Sequence, residues 1–253
     1  MASDRFRTRD SRNAKAAAAS GPLQLQAWSF SRLSTYEQCP AKARYQFIEK
    51  RQTADNKSMA RGSRLHEESQ AYVKANGRKP KLDKDLKSIV DELNELRKIQ
   101  KRVLIEQEVA LTEDWNATGW FDADAWCRVK MDFVVLPDGD DRTLRVIDLK
   151  TGKMKPEHRD QVELYALGGF CAAWPSFKDD APPSSIMVEL WYSDQGQIID
   201  AEYVLSEVSG LKKLWVKRTR KMLSDTKFIA KPGGYCGYCD FAAKKDGPCR
   251  FGA

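Results

Sequence analysis

Apolar positions recur with a helical period in the first part of the chain and with a strand period after it. Between Ser29 and Lys50, Leu33, Tyr36, Ala43, Phe47 and Ile48 form an inner face that is interrupted at Cys39-Pro40. Proline suits the first turn of a helix and not its interior, so two helices are predicted to meet there. Arg61 to Ala75 reads as a further helix ending at Gly77. Leu82 to Lys101 reads as a longer one, with Leu82, Leu86, Ile89, Val90, Leu93 and Leu96 facing inward. From Val103 to Leu111 the apolar residues alternate instead, which predicts a strand. Two more strands, Val129 to Leu136 and Thr143 to Leu149, flank the turn sequence PDGDD and read as a hairpin.

A helix from Pro156 to Ala173, a loop over WPSFKDDAPPSS, a strand from Ile186 to Tyr192, a turn at SDQGQ and a strand from Ile198 to Val204 follow. The closing helix carries Val208, Leu211, Leu214 and Met222 as its expected buried face. This order predicts an α/β fold, a sheet flanked by helices with a helical N-terminal addition.

With 42% apolar residues among 253, the chain can build a substantial core, and no apolar run is long enough to span a bilayer. The opening segment has arginines but no apolar stretch of a signal peptide, so a flexible basic tail over residues 1–27 is expected, with the folded unit over 28–253. A net charge of +7 favours an anionic partner, most simply nucleic acid. The charge is uneven: Leu211 to Lys231 holds eight Lys/Arg against Asp225 alone. Lys213, Lys217 and Arg220 fall on one helical stripe, a candidate phosphate-tracking surface or a solvated face.

The stretch VIDLKTGK narrows the chemistry. On a strand Asp148 and Lys150 share a face that Leu149 does not. In the predicted hairpin Asp132 comes near Asp148, although it sits inside the apolar run Val129 to Val135, where a charge is costly unless paired or metal-bound. Two close carboxylates call for a hard cation such as Mg2+ or Mn2+. Lys150 beside them can assist attack by water, and the set suits phosphodiester hydrolysis.

With VKMD at Asp132 and DLK at 148–150, the sequence resembles the PD-(D/E)xK nuclease superfamily, in its RecB-like branch, from Ser29 to Arg250. The resemblance implies a restriction-endonuclease-like core, a central mixed sheet flanked by helices. It makes Asp132, Asp148 and Lys150 catalytic. RGSRLHEE matches the G-x-x-x-H helix of the family and implies His66 as a metal ligand with Asp132, Asp148 and the Leu149 backbone carbonyl. QVELY matches Q-x-x-x-Y and implies that Gln161 and Tyr165 contact DNA beside the metal. The family's glycine shortly before the first aspartate is replaced here by the Arg128-Val129-Lys130-Met131 stretch. His158 is expected to make a helix-end or substrate contact, and Glu67, Glu68, Glu106 and Glu108 read as extra carboxylates or a solvated face.

Three of the six cysteines, Cys236, Cys239 and Cys249, lie in C-x2-C-x9-C and want a fourth ligand. Cys39 qualifies, because a helix start favours a thiolate. Cys127 and Cys171 read as packed thiols. The pattern resembles the iron-sulfur staple of AddB-type and CRISPR-associated RecB-like nucleases, which implies a cysteine-ligated 4Fe-4S cluster; Zn2+ satisfies the same four thiolates. The expected function is a deoxyribonuclease, foremost an exonuclease acting on single-stranded or duplex DNA ends in recombination, repair or replication, in the cytoplasm of a bacterium and encoded by it or by a phage. Any helicase or recombinase would be a separate partner. The alternatives are a non-cleaving DNA-end adaptor in a CRISPR spacer-acquisition or recombination complex, and an iron-sulfur electron carrier that leaves Asp148 and Lys150 unexplained.

Overall fold

A computed structural model describes residues 24–54, 56–172, 174 and 182–252. Its helices are α1 (Phe30–Gln38), α2 (Pro40–Ala43), α3 (Lys57–Lys74), α4 (Val90–Lys98), α5 (Glu157–Cys171) and α6 (Val208–Ser224). Its strands are β1 (Val103–Leu111), β2 (Ala117–Thr118), β3 (Cys127–Val135), β4 (Thr143–Lys150), β5 (Ser185–Tyr192) and β6 (Gln197–Val204). They form a six-stranded sheet in the order β2-β1-β3-β4-β5-β6. Only β4 and β5 are parallel among these neighbours, with α5 in the crossover between them, so the sheet is mixed.

Each face of the sheet carries its own core. On one, Leu33 and Tyr36 of α1, Val162 and Leu164 of α5, and Leu211 and Trp215 of α6 pack on Val146, Val188 and Leu190. On the other, Leu65 and Val73 of α3 and Leu93 and Leu96 of α4 pack on Phe133, Ile147, Leu149 and Trp191. The result is an α/β fold with a central mixed sheet flanked by helices, which fits the restriction-endonuclease-like core. Among the described residues no helix is long and apolar enough to cross a membrane.

Several boundaries differ from the periodicity. Helix α3 begins at Lys57 and not Arg61, because the Asn56 side chain accepts from the Ser58 and Met59 N–H groups and caps the earlier turn. The stretch from Leu82 to Lys101 is not one long helix: a 3₁₀ segment, Lys84–Ile89, precedes α4, and a second, Gln100–Arg102, follows it. Ile89, at φ −123° and ψ 19°, breaks the helical run, and Val90 is only half-buried. In α6 the buried line is Leu211, Trp215, Thr219 and Met222, while Leu214 is 44% exposed. Trp215 takes the inward place because its ring stacks on Trp28 at 5.6 Å. Leu25 and Ala27, within the segment expected as tail, are buried. The tail over 1–23 and most of the loop at 174–185 lie outside the described residues.

Arg218 ties three helices together. It reaches Glu37 on α1 at 2.7 and 2.8 Å and Asp160 on α5 at 2.7 Å. Because all three groups are partly solvated, Arg218→Ala is expected to cost only about 1 kcal/mol in urea unfolding. A loss above about 3 kcal/mol would mean that the network acts as a buried one.

Candidate active site

Strand β4 divides its residues as the alternation requires. Leu149 packs in the core with Leu65 and Trp191, and Asp148 turns toward α5, whose Tyr165 hydroxyl donates to Asp148 Oδ1. Lys150 shares that face, with Nζ 2.6 Å from Asp148 Oδ2. Nζ also donates to Gln161 Oε1 at 2.7 Å, and Gln161 Nε2 donates to the Tyr165 hydroxyl at 2.6 Å. The i, i+4 spacing of Gln161 and Tyr165 therefore closes a ring through Asp148 and Lys150.

Strand β3 does not alternate cleanly. Val129 and Met131 pack toward α5, then Val134 and Leu136 do, so the face slips by one residue at Asp132-Phe133. The β3–β4 ladder ends at Phe133 opposite Ile147, and Asp132 lies one step beyond. There its side chain replaces a ladder bond, with Oδ2 accepting the Leu149 N–H at 2.8 Å. Oδ1 lies 3.0 Å from His66 Nδ1 on α3. Opposite Asp132 on β1, Glu106 holds φ 52°, a left-handed conformation costly for glutamate, with its carboxylate 2.9 Å from Lys130 Nζ. No sequence signal marks that kink.

Two contacts seat α3. A Cβ at Gly62 would lie 3.2 Å from Thr151 Oγ1, so the absent side chain lets the helix approach the turn after β4. Arg61 pairs with Asp85 at 2.8 Å and Asp194 at 2.6 Å, and Asp194 in turn accepts the Gly152 N–H at 2.9 Å.

The electrostatics follow from burial. Asp132 and Asp148 are only 8% and 4% exposed. Burial, then the Asp148 charge, push the Asp132 carboxyl above the usual range, against His66 and the Leu149 N–H. Burial alone would lower the His66 imidazole, but Asp132 reverses this and the net shift is upward. Burial and Asp148 push the Tyr165 phenol well up, which keeps it a donor. Asp148 Oδ2 is buried with no properly directed hydrogen bond, despite the nearby ammonium.

Among the described residues no three His, Cys, Asp or Glu side chains form a ready-made metal-binding group, here or at the cysteines. The donor chemistry nonetheless suits a hard divalent cation: two carboxylates are buried side by side, the Asp148 charge makes the Asp132 carboxylate costlier, and one Asp148 oxygen lacks a directed partner. His158 Nδ1 meets the buried Tyr192 hydroxyl at 2.7 Å, and burial and then Lys150 depress its pKa. Lys213, Lys217 and Arg220 lie exposed on α6, and none lines the cavity beside Gln161 and Tyr165.

Cys39, Cys236, Cys239 and Cys249 line one cavity. Cys39 Sγ accepts the Lys231 N–H at 3.4 Å and Cys236 Sγ the Gly233 N–H at 3.3 Å. Among the described residues the four thiols surround one space without forming a closed ligand set. Cys127 is fully buried, and Cys171 is half-buried, as packed thiols would be.

The sequence pattern of the PD-(D/E)XK nuclease superfamily matches residues 27–243 of this chain. No curated protein matches it. A solved structure named "Crystal structure of SSO0001" is similar at 15% identity over 92% of this chain and 90% of that chain, with a TM-score of 0.44, a likeness that carries no inference about the site.

Proposed function

Because the chain belongs to the PD-(D/E)XK nuclease superfamily, we propose that it is a metal-dependent deoxyribonuclease of the RecB-like branch, with Asp132, Asp148 and Lys150 as its catalytic residues. The observation that carries this reading is the convergence of two sets of contacts, His66 with Asp132 and Asp148 with Lys150, Gln161 and Tyr165, whose two buried carboxylates lie close enough for the Asp148 charge to raise the Asp132 pKa. A structural ion pair has no need of a second buried carboxylate, and a pure binder gains nothing from acids facing phosphates.

His66, Asp132, Asp148 and the Leu149 backbone carbonyl would hold Mg2+ or Mn2+, which supplies Lewis acidity and a more acidic water. With Nδ1 engaged by Asp132, His66 would have Nε2 available to hold the ion. Lys150, held between Asp148 and Gln161, offers its ammonium to the negative charge that grows on the phosphate and orients the attacking water. Tyr165 holds the Asp148 carboxylate in place, while Gln161 and Tyr165 steer the strand. The basic residues Lys213, Lys217 and Arg220 add long-range attraction. An exonuclease working on DNA ends in recombination, repair or replication, in a bacterial or phage setting and beside a separate helicase or recombinase, is the role we favour.

The four cysteines on one cavity support a 4Fe-4S cluster, with Zn2+ as the rival for the same thiols. The cluster would join residue 39 to the C-terminal segment and act as a staple. In protein purified without oxygen, Cys236→Ala is expected to lose visible cluster absorbance and thermal stability together; unchanged melting would remove the staple. The function itself is tested by incubating that protein with 5′- and 3′-labelled single-stranded and duplex DNA and Mg2+ or Mn2+. Degradation supports the nuclease and its label pattern supplies the polarity, whereas binding without any cleavage transfers the lead to the adaptor reading.

A further inference from the structure

A cavity of about 410 Å3 opens directly against Gln161 and Tyr165, and its other walls combine arginines with aromatic rings. Arg32 donates to the Ala27 carbonyl at 2.9 Å and lies over the Phe47 ring at 5.5 Å. Arg128 donates to the Trp120 carbonyl at 2.9 Å and lies over the Trp120 ring at 5.7 Å. Among the described residues neither guanidinium has a carboxylate partner. Burial and the charge of Arg128 both depress the Arg32 pKa, so the two cations are held close at a cost that an anion would relieve.

The turn that carries Trp120 is built to hold it. Asp122 accepts the Gly119 N–H at 2.9 Å and the Thr118 hydroxyl at 3.2 Å, and Thr118 also reaches Asp124 at 2.7 Å. A Cβ on Gly119 would come within 2.6 Å of the Asp122 carboxylate, so another residue there would push that carboxylate off the contacts that close the turn. The half-buried Trp120 is followed by Phe121, which is 90% exposed.

We propose that this groove binds single-stranded nucleic acid, with Arg32 and Arg128 taking backbone phosphates, Trp120 stacking an unpaired base, and the strand running on toward Gln161 and Tyr165. The inference rests on the nuclease reading for its direction but not for its ligand. Paired bases keep their faces inside the duplex stack, so an aromatic wall beside phosphate-binding arginines selects an unpaired strand. The groove thus makes a single-stranded end the substrate class of the adjoining site.

The test measures anisotropy of labelled oligo-dT and of a blunt hairpin duplex in the Asp148→Asn background, which keeps the probes intact. Trp120→Ala is expected to weaken oligo-dT binding about ten-fold or more, to leave the hairpin within about two-fold, and to be largely rescued by Trp120→Phe. Equal loss on both probes, or none on oligo-dT, overturns the proposal. Should Trp120→Ala fail to fold, photocrosslinking of 5-bromouracil-substituted oligo-dT to the otherwise unaltered protein decides: adducts at the Trp120 peptide support the groove, and adducts only elsewhere refute it. Trp120-dependent binding by a wild type that cleaves nothing would keep the groove and retire the nuclease. Cleavage with Trp120-independent binding would do the reverse.

Discussion

Asp148→Asn is expected to slow DNA cleavage by about a thousand-fold or more while leaving DNA binding equal or tighter. Asparagine keeps the shape and its amide oxygen still accepts from the Tyr165 hydroxyl, and the Lys150–Gln161–Tyr165 contacts do not depend on the charge. What disappears is the charge that would grip a divalent cation and that holds Lys150 Nζ at 2.6 Å. Removing it also relieves Asp132, whose pKa the Asp148 charge helps to raise, so the variant is expected to fold. Its loss of function would then reflect chemistry and not unfolding. Phosphates meet one negative charge fewer, which is why affinity should not fall. Single-turnover cleavage with Mg2+ and with Mn2+, alongside anisotropy on the same DNA, reads both quantities. A variant that cleaves within ten-fold of wild type would displace Asp148 from the catalytic set.

The largest stability effect is expected at Trp215. Its side chain is fully buried, stacks on Trp28 at 5.6 Å, meets the edge of Phe30 at 6.4 Å and lies under Arg218 at 5.2 Å. Trp215→Ala should cost about 3–5 kcal/mol in urea unfolding, the usual range for emptying an aromatic site in a core. Trp215→Phe should cost clearly less, because the indole N–H is buried without a partner among the described residues and its loss removes a penalty. Equal costs for both variants would show that the N–H is satisfied after all.

The strands and most helices were legible because burial on one face imprints a period on the sequence. The hairpin about PDGDD appears with Asp148 and Lys150 on one side of β4 and Leu149 on the other. Where reading failed, a local rule gave way to a tertiary one. Leu214 and Trp215 are both apolar, and only the presence of Trp28 across the interface decides which one turns inward. The run from Leu82 to Lys101 kept its helical spacing of apolar residues although 3₁₀ turns flank α4, because burial at Leu86 and Ile89 does not require α geometry.

The same division holds at the candidate site. Residue types and their spacing along single elements determined which groups could meet: Asp148 with Lys150 on one strand face, Gln161 with Tyr165 on one helix face. Only the tertiary structure decided the rest: that the alternation of β3 slips at Asp132, that Glu106 opposite it is left-handed, and that Arg32 and Arg128 line one groove with Trp120. Periodicity records which side of an element is dry. It carries no record of where a ladder ends or which charges are left without partners, because those depend on segments distant in the chain.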